Sequence, residues 1–385
     1  MHAQYTSRPP RYVPALTGIR ALAALLVLGM HTEQNVPCGL DSFLPFFARG
    51  YLGVDFFFVL SGFIITHVYL ASLASAKLRA VQIFLWHRFI RLYPVHVTVL
   101  VGLAAVVSLA SAAGFGFNNP QEWQWGDLIW QLTLLQAWGV TTTPRWNVPA
   151  WSISAEWFAY WLFPLLAPAL TWVRERAIAL LIAVAALAAT ALLFTIADWT
   201  LNTWVGAPAL TRVFGEFLCG AALCRAVDLT PEYARPSGDF LAAGAFLAFL
   251  LGASAGVADF ALVAFLALTI FGAATSKRFV ARVLGSRPFV WLGEISYSVY
   301  MVHFPVLIII RRVWEQLGFA HWPATGKISA FIITVALVLA LVGTVDDTTV
   351  GGRLLVADAI GAVCGVLISG LLFGLIAANI AKDNA

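Results

Sequence analysis

Apolar stretches of about 20 residues recur along almost the whole chain, and few charged residues interrupt them. A helix needs about 20 mainly apolar residues to cross the hydrocarbon core of a bilayer. The chain has eleven such stretches, near residues 15–36, 51–72, 93–114, 151–171, 177–197, 211–228, 239–256, 257–275, 291–310, 326–345 and 354–380. Another apolar segment, 127–139, is too short to span, and its tryptophans are typical of a re-entrant or interfacial helix. The pattern predicts an all-α integral membrane protein, a bundle of about 10–11 transmembrane helices.

The composition agrees with this pattern and excludes a water-soluble protein. Of the 385 residues, 61% are hydrophobic and only 11% are charged, whereas soluble domains carry about 25% charged residues. The loops are short and no linker separates the spans, so we expect residues 1–385 to form a single membrane domain.

The basic residues indicate an orientation. With the N-terminus in the cytoplasm, the predicted inner segments hold more Lys and Arg than the outer ones, as the positive-inside bias requires. The net charge of +4 therefore comes from basic residues on the cytoplasmic side of the membrane. We expect no nucleic acid as a partner. The four cysteines show no metal-type spacing, so no metal is predicted. The sequence leaves the oligomeric state open.

Two ionisable residues lie inside the first predicted span, where a charge costs several kcal/mol and marks a functional candidate. Arg20 and His31 are eleven positions apart, so they share one helix face about 16 Å apart along the axis. Histidine is the side chain best suited to act as a base near neutral pH. The alternatives are that Arg20 reaches the inner interface and that His31 is a packing residue.

Two carboxylates lie at a similar depth in other spans. Asp55 and Glu156 each lie inside a predicted span, a few residues from its outer end. A carboxylate beside a histidine orients the ring and stabilises its protonated form, so either could support His31. The alternative is a structural ion pair for each. Three nearby hydroxyls are candidate nucleophiles, although a serine in a membrane helix more often bonds its own backbone: Ser61, Ser152 and Ser154.

The segment 84–94, FLWHRFIRLYP, carries two arginines at the inner mouth of the third span. Arg88 and Arg91 are three positions apart, so on a helix they face the same way. Two guanidinium groups can hold phosphates by paired hydrogen bonds. Tyr93, two residues later, is a further candidate for cofactor binding. The alternative for the arginines is ordinary anchoring on the cytoplasmic side.

A fourth polar cluster lies in the segment 291–306. Glu294, Tyr297, Tyr300 and His303 recur every three residues, and such a stripe on an apolar helix points towards partner helices or a cavity. A hydrogen-bonded seam between helices is the alternative. We predict that the substrate contacts Tyr300 and His303 here, together with Trp151 and Ser152 of the fourth span.

These motifs together resemble the acyltransferase family 3 of membrane proteins. The segments that carry the resemblance occur in the family's order: LTGIRALAALLVLGMH, GYLGVDFFFVLSGFIIT, HRFIRLYP, WSISAEWFAYWLFP and LGEISYSVYMVHFP. The resemblance implies a bundle of about ten helices over a core of about 14–345, with the apolar segment 354–380 as an extra helix. It also implies that Arg20 and His31 are required, and that Arg88 and Arg91 of a cytoplasmic loop contact acyl-CoA.

The sequence departs from the family pattern at several points. Glu156 is followed by Trp157 where the family often has a second acidic residue, and His87 precedes Arg88 where it often has a second arginine. After the tenth span the family frequently shows a glutamate and a proline, which the segment VDDTTVGGRLL replaces. We therefore assign no function to the C-terminal segment.

The resemblance implies an enzyme that moves an acyl group, commonly acetyl from acetyl-CoA, onto a hydroxyl of an extracytoplasmic glycan or lipid-linked sugar. We expect it in a bacterial inner membrane. We predict that the donor binds to Arg88, Arg91, Arg20 and Tyr93, and that the catalytic groups are His31, Glu156, Asp55 and Arg20. The main alternative is a proton-coupled transporter or flippase, because intramembrane ionisable groups also form proton relays.

Overall fold

The computed structural model describes residues 12–75, 77–114, 119–231, 233 and 237–343. Within these ranges the chain forms α-helices and short 3-10 turns and no strands. The helices are α1 Pro14–Asn35, α2 Leu40–Phe43, α3 Leu52–Leu73, α4 Leu78–Ala112, α5 Leu128–Leu132, α6 Trp151–Trp172, α7 Arg176–Ile196, α8 Ala207–Asp228, α9 Asp239–Ser254, α10 Asp259–Ala274, α11 Phe279–Leu284, α12 Arg287–Gln316 and α13 Ala324–Gly343.

Eight of these helices are long and apolar enough to cross a membrane: α1, α3, α4, α6, α7, α8, α12 and α13. The apolar helices α9 and α10 are shorter, with 16 residues each, and a tight turn at Gly256 joins them. These ten helices correspond to the first ten predicted spans, and the prediction of an all-α integral membrane protein is confirmed. The eleventh predicted span, 354–380, lies outside the described residues.

The segment predicted to be interfacial or re-entrant contains only short helices. A 3-10 turn, Trp125–Asp127, leads into the five-residue α5, and irregular chain follows it. Leu134, just after α5, has a left-handed backbone (φ 57°). This segment therefore connects α4 with α6 and does not span.

Helix α4 differs from the sequence prediction in one respect that bears on the site. Its 35 residues correspond to about 52 Å, well beyond the roughly 30 Å of hydrocarbon. Arg88 and Arg91 lie on one helix, as their spacing predicts, and not on the loop that the resemblance implies, because α4 begins at Leu78 and continues through both. Hydropathy marks only the apolar part of a helix, so the polar first turns were missed.

Close backbone contacts fix the helices that carry the polar residues. A Cβ atom added to Gly62 of α3 would lie 1.9 Å from the carbonyl oxygen of Phe217, and one added to Gly220 of α8 would lie 1.8 Å from that of Val59. Likewise, a Cβ on Gly293 of α12 would lie 1.9 Å from the carbonyl oxygen of α1 Thr17. Small residues of this kind let membrane helices approach closely. The pairs α3–α8 and α1–α12 therefore have a set depth relative to each other.

Candidate active site

A cavity of about 130 Å³ lies among α1, α3, α4, α6 and α12. Its polar lining comes from all five helices, and its apolar lining comes mainly from α3. The polar lining residues are Arg20, Ser61, Arg88, Arg91, Ser152, Glu156, Tyr160, Ser296, Tyr297 and Tyr300. Residues that are distant in sequence thus meet in one space inside the bundle.

Three guanidinium groups face this cavity. Arg20 belongs to α1, whereas Arg88 and Arg91 lie one turn apart on α4. Arg88 donates a hydrogen bond to the hydroxyl of Tyr69 (3.0 Å) and lies over its ring, and Arg91 lies over the ring of Tyr297. These contacts hold the side chains without neutralising their charge.

Glu156 is the one carboxylate among the described lining residues. It accepts hydrogen bonds from Ser61 and from Tyr160, the latter at 2.6 Å. Three positive groups against one negative group leave the cavity with an excess of positive charge. Like charges repel strongly where water is scarce, so the arrangement favours an anionic ligand.

The expectation that Glu156 or Asp55 orients His31 does not match these contacts. Glu156 bonds with Ser61 and Tyr160, and Asp55 forms a buried two-point ion pair with Arg212 of α8 (2.7 and 2.5 Å). The Arg212 and Asp55 side chains are 1% and 0% exposed, and Glu216 lies 3.8 Å from the same guanidinium. Asp55 therefore has the structural ion pair that the sequence left as the alternative.

Sequence reasoning missed Arg212, because its span was predicted to begin at residue 211, which left this arginine at the span's edge. The described helix α8 begins at Ala207 and buries it. The signal was available in the sequence. Arg212 and Glu216 lie four positions apart in the first half of α8, the spacing at which opposite charges pair.

The partner of His31 is a second histidine. Nε2 of His303 lies 3.1 Å from Nδ1 of His31, and Nδ1 of His303 lies 2.7 Å from the carbonyl oxygen of Tyr300. A carbonyl only accepts hydrogen bonds, so Nδ1 of His303 carries a proton and the Nε2 of the neutral ring accepts one from His31. This pattern leaves Nε2 of His31 with its lone pair free. His31 is half-buried, and His303 is 1% exposed.

A side chain outside α12 bonds the helix backbone near His303, at a carbonyl that a proline leaves without its helical donor. Pro305 has no N–H, so the carbonyl of Met301 four residues earlier lacks its helical donor. The side-chain amide of Asn147 donates to that carbonyl instead (3.0 Å). The segment before α6 is thereby attached to α12 beside His303.

Tyr300 links the histidine pair to the cavity. Its hydroxyl lies 2.8 Å from that of Ser152, and both hydroxyls bond the carbonyl of Pro149. Its ring centroid is 5.7 Å from that of His303. Ser152 and Tyr300 line the cavity, and Tyr300 also contacts His303, whereas neither histidine is among the lining residues.

Besides His303, two other predicted binding residues lie outside the cavity lining. Tyr93 stacks on Phe89 of its own helix (4.3 Å between ring centroids), and Trp151 packs under the guanidinium of Arg212. Ser154, a candidate nucleophile, instead bonds the backbone of Leu134 and Ala137. Trp151 thus contacts α8 and Ser154 holds the segment after α5, whereas the Tyr93 contact stays within α4.

A family model described as an acyltransferase domain matches residues 13–345. The chain belongs to the acyltransferase 3 family. It is therefore a multi-pass membrane protein of an acyltransferase family, as the sequence motifs predicted, and the expected family membership is confirmed.

Relatives with curated names agree with this membership. The acyltransferase MdmB of Streptomyces mycarofaciens is 29% identical over 376 residues, which cover 89% of this chain and 92% of that protein. The peptidoglycan O-acetyltransferase OatA of Listeria monocytogenes is 25% identical over 359 residues, 85% of this chain. The chain spans only about half the length of that protein (54%). No solved structure matches the chain.

We predict that Arg212→Leu lowers the free energy of unfolding by about 3–5 kcal/mol, because it leaves Asp55 and Glu216 buried without a counter-charge. Arg212→Leu combined with Asp55→Asn should recover part of this loss. Denaturant unfolding of the purified protein in detergent measures both. An Asp55→Asn variant that keeps full stability but has no activity would show instead that Asp55 serves catalysis.

Proposed function

We propose that the protein transfers an acyl group, commonly acetyl, from cytoplasmic acyl-CoA to a hydroxyl of an extracytoplasmic glycan. The observation that carries this proposal is a cavity lined by three arginines, one of whose lining residues, Tyr300, contacts the histidine pair. A donor with several phosphates suits the arginines, and the histidine pair beyond Tyr300 supplies a base.

The arginine end suits coenzyme A. Arginine binds phosphate through planar, paired hydrogen bonds, and Nε of Arg88 has no hydrogen-bond partner among the described residues. Arg20 lies about 16 Å along α1 from His31. It is therefore assigned to the donor, and its other predicted role, as a catalytic group, is dropped.

The orientation follows from the same proposal. Arg20 is near the beginning of α1 and His31 near its end, so a cytoplasmic N-terminus puts the arginines on the side where acyl-CoA is made. The excess of Lys and Arg in the predicted inner segments supports this orientation. A bacterial inner membrane is the expected location, because the acceptor then lies beyond the opposite face.

The chemistry requires one base. Nε2 of His31 takes the proton of the acceptor hydroxyl while the oxygen attacks the thioester carbonyl. The carbon–sulfur bond then breaks, and the protonated imidazole returns the proton to the leaving thiolate. His303 keeps Nδ1 of His31 hydrogen-bonded, so that Nε2 faces the acceptor. His303 is thus assigned a positioning role, where the sequence suggested substrate binding.

The names of relatives support a glycan acceptor. Two of them, from Listeria monocytogenes and Bacillus subtilis, are named as peptidoglycan O-acetyltransferases, the second as putative. Transfer to a hydroxyl is the reaction that a neutral histidine base serves. Tyr300 and Ser152, which line the cavity, are placed to contact the acyl group or the acceptor.

We expect the purified protein to bind acetyl-CoA and hydrolyse it slowly in the absence of acceptor. Arg88→Ala/Arg91→Ala should lose binding, because the phosphates lose their partners, and His31→Ala should bind without turnover. Calorimetry and release of free thiol measure the two steps, with Arg311→Ala, an exposed arginine of α12, as the matched control. If neither wild type nor any variant binds or hydrolyses acyl-CoA, the transporter alternative is favoured.

A second prediction distinguishes positioning of His31 by His303 from substrate binding by His303. His303→Ala should lower kcat on the order of 10²-fold, because a misplaced base loses its alignment, and leave the KM for acetyl-CoA unchanged. His303→Gln should restore part of kcat, since its amide oxygen can accept the hydrogen bond from His31. A raised acceptor KM with unchanged kcat would indicate substrate binding instead.

A further inference from the structure

A second group of chemically reactive side chains lies where α3 and α8 end, away from the acyltransferase cavity. His67, Cys224 and Asp228 each present one ligand atom, and the three atoms lie within 4.8 Å of one another. Sγ of Cys224 is 3.9 Å from a carboxylate oxygen of Asp228. A nitrogen, a sulfur and an oxygen donor thus converge from two helices.

The convergence is fixed by the backbone. Cys224 and Asp228 are four positions apart, so they lie on the same face of α8. The close contacts at Gly62 and Gly220 leave no room between α3 and α8 for side chains. His67 lies five residues after the first glycine and Cys224 four after the second.

The two helices run in the same direction, because contacts between them advance together along both. Asp55 meets Arg212 near one end, and His67 meets Cys224 near the other. The buried ion pair and the glycine contacts therefore fix the position of α3 along α8. This position brings the three donor atoms together. A ligand set held by rigid helices meets the main requirement for a metal site.

The donor set selects the kind of ion. Thiolate and imidazole bind zinc and related transition metals, whereas Ca²⁺ and Mg²⁺ need oxygen ligands. A thiolate and a carboxylate together carry two negative charges, which a divalent ion neutralises. This matters at a helix end near hydrocarbon, where an unbalanced charge is costly.

A neighbouring cavity provides the remaining coordination position. It has a volume of about 530 Å³ and is lined by all three residues, by Lys277 and by the residues that begin α1, such as Tyr12 and Pro14. Lys277 is the competing cation, and its exposed side chain can turn to solvent. A water molecule can complete a tetrahedral site from this side.

We propose that His67, Cys224 and Asp228 bind one Zn²⁺ ion, with water as the fourth ligand, and that the ion ties α3 to α8 beside the start of α1. Binding displaces the thiol proton of Cys224. None of the three ligands lines the acyltransferase cavity, so this proposal does not depend on the proposed function. It revises the expectation of no metal, which rested on local cysteine spacing; His67 and Cys224 are too far apart in sequence for a local motif.

The test uses the full-length, tag-free protein in detergent after treatment with a chelator. Titration with CoCl2 should give one bound Co²⁺ per chain, with the near-ultraviolet absorption of a thiolate–cobalt bond, and ZnCl2 should displace it. Cys224→Ser should remove this absorption. Cys219→Ser, which changes another buried cysteine of α8, should keep it.

A second variant protects the test against misfolding. His67→Gln leaves the thiolate in place and should weaken zinc binding at least tenfold, measured by competition with a chromophoric chelator. Zinc should also raise the melting temperature of wild type and Cys219→Ser more than that of His67→Gln. Absence of the thiolate–cobalt absorption in wild type, or unchanged zinc affinity in His67→Gln, would overturn the proposal.

Discussion

A charged side chain inside a membrane-spanning bundle needs a counter-charge, hydrogen bonds or a ligand, because the surrounding hydrocarbon cannot solvate it. Asp55 and Arg212 form a buried ion pair. Glu156 is satisfied by two hydroxyls. Arg20, Arg88 and Arg91 have no comparable carboxylate partner among the described residues, and they face a common cavity. The excess positive charge at this point is the feature on which the functional account depends.

The structure separates two tasks that the sequence could not tell apart. Intramembrane carboxylates are candidates for catalysis and for ion pairing alike, and only tertiary contacts decide between them. Asp55 joins α3 to α8, and the histidine pair joins α1 to α12. In both cases a glycine lets the same two helices approach closely. Packing and polar contact thus act together to fix the depth of the functional groups.

Much of the fold was predictable from the sequence, because long apolar stretches identify membrane helices. Ten predicted spans correspond to described helices, and the pair Arg20 and His31 was visible on one face of α1. The partners of these groups were not predictable, since His303 lies 272 positions from His31. The polar start of α4 was missed for a different reason, because hydropathy does not register the helical turns that carry Arg88.

In the proposed reaction, one anionic donor reaches from the arginines to the histidine pair. A cryo-EM structure with an acetyl-CoA analogue whose thioester sulfur is replaced by methylene tests it most directly. We expect phosphate density within hydrogen-bonding distance of Arg88 and Arg91, and the acyl carbonyl beside Nε2 of His31. Nucleotide density away from Arg88 and Arg91, or an acyl group too far from His31 to react, would contradict this path of the donor.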